Sequence, residues 1–173
     1  VTELDEAWAL ALAEGERRAR EQGRGDIAEY LALRASNDLL RSTGIEWLLS
    51  SLTLLAGEAN RAGASVSIEK DDAHRFSVGN ATMVGPRLTL CSGIRRLIVE
   101  AGWPRMPRDG IVRGQGLACA RIGHFGKRSQ NQELLLVRSS NGVPEWLVLD
   151  EAGTRNPLIE SRLRQHLVNF LKE

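Results

Sequence analysis

Between Asn60 and Ser65 the hydrophobic period of this chain changes, and that change restricts the fold more than any other feature. Before it, apolar residues recur every three to four positions, the spacing of a helix face; after it they alternate in short runs, the spacing of a half-buried strand. A chain that switches period once, and switches back near its end, encodes helices, then a sheet, then a helix.

The early part reads as three helices. Leu4, Trp8, Ala11 and Leu12 share one face of a first helix that opens with Thr2 and Asp5 as a capping pair and ends near Gly23. Asp26 and Glu29 open a second helix, whose stripe of Ile27, Leu31, Ala35 and Leu39 runs to Ser42, with Thr43-Gly44 as its stop. A third, from Ile45 to Ala62, is apolar over most of its circumference and is expected to be the most buried.

After the switch come "SVSIEK", "RFSVGNATMVG", "RLTLCSG", "RRLIVEAG", "GIVRGQGLACARIG", "ELLLVRS" and "EWLVLD", separated by Gly, Pro, Asn and Asp. Connections this short join antiparallel neighbours, so six or seven strands in meander order are expected. Asn141-Gly142 marks one hairpin turn, Val84 to Arg87 a tighter one, and Asp71 to His74 a solvated turn. At the end, Asn156 as N-cap and Pro157 in the first helical position precede Ile159, Leu163, Leu167 and Phe170 on one face. The expected fold class is α+β: three N-terminal helices, a mainly antiparallel meander sheet, and a C-terminal helix packed on the sheet. One domain is expected, with a helical layer over 1–62, the sheet over 63–153 and the last helix over 154–173.

Composition narrows the compartment. No stretch reaches the roughly 18 apolar residues of a membrane span, because Glu46, Ser50, Ser51 and Thr53 interrupt the most apolar segment, and no membrane partner is expected. The acidic N-terminus is unlike a secretory signal, and Cys91 and Cys119 make no disulfide framework, so a cytoplasmic protein with free thiols is expected.

The net charge of +1 conceals a strong asymmetry. Residues 1–72 carry 8 basic against 14 acidic side chains, residues 73–130 carry 10 against 2, and residues 131–173 carry 5 against 6. Nine of the ten cations in the middle block are arginines, whose planar fork suits phosphate and carboxylate. The segment "VEAGWPRMPRDGIVRGQG" concentrates them in a loop stiffened by two prolines, predicted to project Arg105 and Arg108, with Arg113 just beyond. With Arg95, Arg96, Arg121, Lys127 and Arg128 these could frame an anion, and Trp103 and Phe125 could stack on bases, with His124 in the same company. The competing expectation pairs those arginines with acidic groups of this chain or of a second copy.

Chemistry-bearing motifs are sparse. "GQGLAC" lacks the third small residue of a dinucleotide fingerprint and opens no helix, so Gly114 and Gly116 are expected to bend a strand. Asp71, Asp72 and His74 alone do not make a metal site, and no cofactor is expected. Cys119 and His124, five residues apart, would face opposite ways on one strand, against a thiol–imidazole pair. The leading expectation is therefore a non-catalytic interaction or ligand-binding module, a homo-oligomer associating through its N-terminal helices. Second is a protein that binds nucleic acid or a small anionic ligand through the basic block 73–130. Third is an enzyme with a pocket between helices and sheet, using His124.

Overall fold

A computed structural model describes residues 3–172, with side chains from Ala7 onward. The chain forms two compact units, Val1–Leu40 and Arg41–Glu173. The first contains α1 (Glu3–Glu21) and the opening part of α2 (Gly25–Arg61). The expected start of the first helix at Thr2 lies outside the described residues. Its end falls where the sequence suggests: Gly23 takes φ +71°, and the Arg24 N–H returns to the Ala19 carbonyl at 2.8 Å, closing a Schellman-type stop. Along α1, Glu14, Arg17 and Glu21 pair across single turns, as do Glu16 and Arg20.

Two N-terminal helices replace the three expected, because Thr43 and Gly44 continue α2 instead of ending it. Gly44 serves packing. A methyl group there would lie 2.6 Å from a Leu136 Cδ, and the Gly44 carbonyl accepts the Trp146 indole N–H at 2.7 Å. The missing side chain lets the helix lie close against the sheet, a role that local turn signals cannot reveal.

The second unit is built on a seven-stranded antiparallel sheet in sequential order: β1 (Ser67–Val78), β2 (Ala81–Ser92), β3 (Arg95–Gly102), β4 (Ala118–His124), β5 (Gln132–Arg138), β6 (Pro144–Leu149) and β7 (Arg155–Pro157). Period-two alternation gives it two faces. Leu88, Leu90, Leu97, Val99, Ile122 and Leu136 meet Leu48, Leu52 and Leu55 of α2, and Leu163, Leu167 and Phe170 of α3 (Glu160–Leu171), in the main core. On the opposite face Phe76, Met83, Cys119 and Leu135 form a smaller cluster, against which Val112 packs.

Three local expectations are corrected. Val84 to Arg87 is not a turn: β2 runs straight through Gly85 and Pro86. Asp71 to His74 is not a turn either; Asp71 pairs with Arg87 and His74 with Gly85, so Asp72 and Ala73 together oppose Pro86. That is a bulge, and it lies opposite the one residue of β2 that has no N–H to offer. The actual reversal is two residues long, with Gly79 at φ +58° followed by Asn80. Finally, Asn156 and Pro157 do not cap the last helix. They pair with Val148 and Leu147 as β7, and α3 starts at Glu160 with Ile159 in the N-cap position. Strand pairing has taken the backbone that a local cap would have used.

At the crossing of β2 and β3 two glycines face each other. A Cβ on Gly85 would lie 2.1 Å from the Ala101 carbonyl oxygen, and one on Gly102 would lie 2.5 Å from that of Val84. The approach admits only hydrogen at both positions.

Candidate anion-binding site

The basic residues singled out in the sequence separate into two groups at opposite ends of the strands, with Arg121 between them on the sheet. At one end, the loop from Trp103 to Leu117 is folded back on the protein. Arg105 lies over the Trp103 ring, its guanidinium carbon 3.5 Å from the centroid, and donates through Nε and Nη2 to the Val84 carbonyl at 3.3 and 3.2 Å. Arg41 lies 5.6 Å from the same ring and donates to the Leu117 carbonyl at 2.8 Å, while Arg155 donates to that of Gly114 at 3.3 Å. Gly114 and Gly116 accordingly lie in this loop and not in a strand.

Asp109 organises the turn. It is only 5% exposed; its Oδ2 accepts the N–H groups of Arg105 and Met106, and its Oδ1 accepts Arg75 Nη2 at 2.9 Å. Burial works to raise its pKa, but the two backbone donors and the guanidinium outweigh it and hold the carboxyl below the ordinary value. Arg121, on the outer sheet face, donates to the Ser77 carbonyl at 3.1 Å and lies 3.7 Å from Glu100. Four guanidiniums thus serve main-chain carbonyls of their own fold here, and the predicted loop cations Arg105, Arg108 and Arg113 are all exposed. Of the loop's own cations Arg105 is turned onto a main-chain carbonyl, while Arg41 and Arg155 hold the loop's backbone from outside it.

The other end carries Arg95, Arg96, His124, Phe125, Lys127 and Arg128. The Phe125 N–H donates to the Arg96 carbonyl at 3.0 Å, which joins the start of β3 to the loop after β4. Arg95 reaches the Leu171 carbonyl at the end of α3, at 2.9 Å. Arg96, Phe125, Lys127 and Arg128 are exposed.

His124 turns inward. Its Nε2 lies 2.8 Å from Nδ1 of His166 on α3, and His166 Nε2 lies 2.8 Å from Oε1 of Gln132 on β5. Because that oxygen only accepts, His166 donates through Nε2–H, its Nδ1 accepts, and His124 supplies the proton between the rings. Burial, with His124 and Arg162 nearby, pushes the His166 pKa down to about 4; burial and Lys127 lower that of His124. Both imidazoles are neutral at neutral pH. Cys119 belongs to the opposite face, as its odd spacing from His124 requires, and burial pushes its thiol up to about 11.

Above His166 opens a cleft of about 360 Å³. Gln130, Asn131 and Gln132 form one wall, Gln165 and Asn169 of α3 the other, and Arg162 contributes the positive charge. Among the described residues its lining holds no carboxylate and no large apolar side chain. Asn131 also accepts the His124 N–H through Oδ1 at 2.8 Å, which shapes the loop, whereas Gln130 Oε1 is buried without a hydrogen-bond partner. His166 and the other lining residues are not among the candidates that the sequence singles out. A signal was present: Arg162, Gln165, His166 and Asn169 recur at helical spacing as a polar stripe beside the apolar one.

Among the described residues no group of three or more His, Cys, Asp or Glu is placed to hold a metal ion. No helix there is long and apolar enough to cross a membrane. Comparison with protein-family models, with curated proteins and with solved structures finds no match to this chain.

Proposed function

We propose that the chain is a non-catalytic binding module that takes a small, hydroxylated anion in the cleft between the β4–β5 loop and α3. The observation that carries this reading is the chemistry of the lining: amide groups that both donate and accept, one guanidinium, and no carboxylate. A phosphate or carboxylate would find Arg162, with exposed Lys127 and Arg128 in the adjoining loop; hydroxyls would find the amides. His166 has both ring nitrogens engaged and is neutral, so it offers the ligand neither a free base nor an acidic proton, which supports binding without catalysis. Calorimetric titration with glycerol phosphate is the test. Binding is expected, and Arg162→Gln should weaken it by about tenfold, the value of one charge-assisted contact. Equal affinity in wild type and variant would overturn the assignment.

A second reading, self-association, is supported by the N-terminal unit. Among its described side chains only Ala19 and Ala28 are buried, whereas Trp8, Leu10, Tyr30, Leu33 and Leu39 are exposed. Two helices with so small an interior gain a core by joining a second hairpin into a four-helix bundle. Sedimentation equilibrium should therefore find a dimer, and Leu10→Glu/Leu33→Glu should raise its dissociation constant by about a hundredfold. A wild-type monomer at high concentration refutes this reading.

A further inference from the structure

We propose that the end of the sheet beside the cleft docks on an anionic membrane surface, with Ile94 and Phe125 entering the interfacial layer; this rests on the anion-binding reading of the same end. Ile94, at the tip of the β2–β3 turn, is 92% exposed, and Phe125, at the start of the loop after β4, is 69% exposed. The two tips belong to one surface, because the Phe125 N–H is bonded to the Arg96 carbonyl at 3.0 Å. A single exposed apolar side chain is ordinary on a protein surface; what distinguishes these two is that they share one end of the sheet with a cluster of cations.

The surroundings of the tips point to the partner. Arg95, Arg96, Lys127 and Arg128 flank them, and no Asp or Glu occurs from Arg87 to Val99 or from Ile122 to Gln132. Apolar tips within a ring of cations match an anionic lipid layer, where the hydrocarbon edge lies beneath a plane of phosphates. A nucleic acid would employ Phe125 for stacking but has no use for Ile94, which lacks a π face. A soluble anion would use the cations and neither tip. Asn169 borders both the cleft and the small cavity formed by Arg95, Arg96, Phe125 and Lys127, so a headgroup held in the cleft would belong to a lipid lying under the tips. That no helix among the described residues is long and apolar enough to cross a bilayer bears on crossing and not on adsorbing to one.

The experiment is co-sedimentation of the full chain with vesicles of phosphatidylcholine alone and of phosphatidylcholine with phosphatidylglycerol, alongside glycerol phosphate titration. Binding is expected only to the anionic vesicles, weakening with salt. Ile94→Ser/Phe125→Ser should reduce it at least tenfold while leaving glycerol phosphate affinity unchanged; both positions are exposed, so the variant should fold, as circular dichroism will check. Glycerol phosphate binding without vesicle binding overturns the membrane proposal and leaves the cleft reading standing. Loss of both removes both. Vesicle binding indifferent to the double variant also overturns the proposal, as does single-stranded oligonucleotide binding that is tighter than vesicle binding and sensitive to Phe125→Ser alone.

Discussion

Replacing His166 with glutamine tests the buried imidazole chain through the pH dependence of stability. In the folded protein the His166 pKa is pushed down to about 4 from an ordinary 6.5, because its ring is buried, with His124 and Arg162 nearby. The unfolded chain therefore binds a proton more readily over that interval, and stability falls as the solution is acidified. The sign is that of a buried base: the full contribution is present above the ordinary value and is lost progressively as pH drops towards the folded value. One pH unit of difference is worth roughly 1.4 kcal/mol, so acidification from about pH 7.5 to about pH 5 should cost the wild type roughly 2 kcal/mol through this group. His124, also lowered, adds in the same direction. Urea unfolding of wild type and His166→Gln at both pH values isolates the effect, since carboxylates titrate alike in both proteins and cancel in the double difference. The variant should be less stable than wild type at neutral pH and should lose about 2 kcal/mol less on acidification. A pH penalty equal in the two proteins would show that His166 does not resist protonation, and the neutral chain of imidazoles would be wrong.

Three further outcomes follow from the packing. Gly85→Ala must push its methyl into the Ala101 carbonyl, a main-chain atom 2.1 Å away, and a loss of about 3 kcal/mol or more is expected in chemical denaturation; a loss below about 1 kcal/mol would mean that the strands can part there. Trp146→Phe removes the indole N–H held by the Gly44 carbonyl at 2.7 Å, which should cost about 1–2 kcal/mol in the same assay, and no change would deny the bond a role. Asp109→Asn withdraws the charge shared by two backbone N–H groups and Arg75. Deuterium uptake at the Arg105 and Met106 amides should then rise by about tenfold, while uptake in β4 stays unchanged as the control.

The change of period near residue 60 announced the layers correctly because it reports burial, and burial is a property each element carries in its own spacing. The same logic found the meander order, since links as short as Asn141-Gly142 reach only a neighbouring strand. It failed where a residue plays for a distant partner. Gly44 looked like a helix stop and is instead the place where Leu136 and Trp146 come against α2. Asn156 and Pro157 looked like a cap and were claimed by β6. The bulge at Asp72 and Ala73 could be read only once Pro86 was known to stand opposite.

The candidate site shows the same division. By itself the sequence determined that arginine would crowd the middle of the chain, that Cys119 and His124 would face apart, and that a polar stripe would run beside the apolar face of the last helix. Only the tertiary structure decided which arginines bond to the chain itself. It turned Arg41, Arg105, Arg121 and Arg155 onto carbonyls of the chain itself and left Arg96, Lys127 and Arg128 exposed at the opposite end. It also brought His124 and His166, 42 residues apart, within one hydrogen bond. Charge and period are local sums over neighbouring residues, whereas the partner of a guanidinium or an imidazole depends on which distant segment the folded backbone sets beside it.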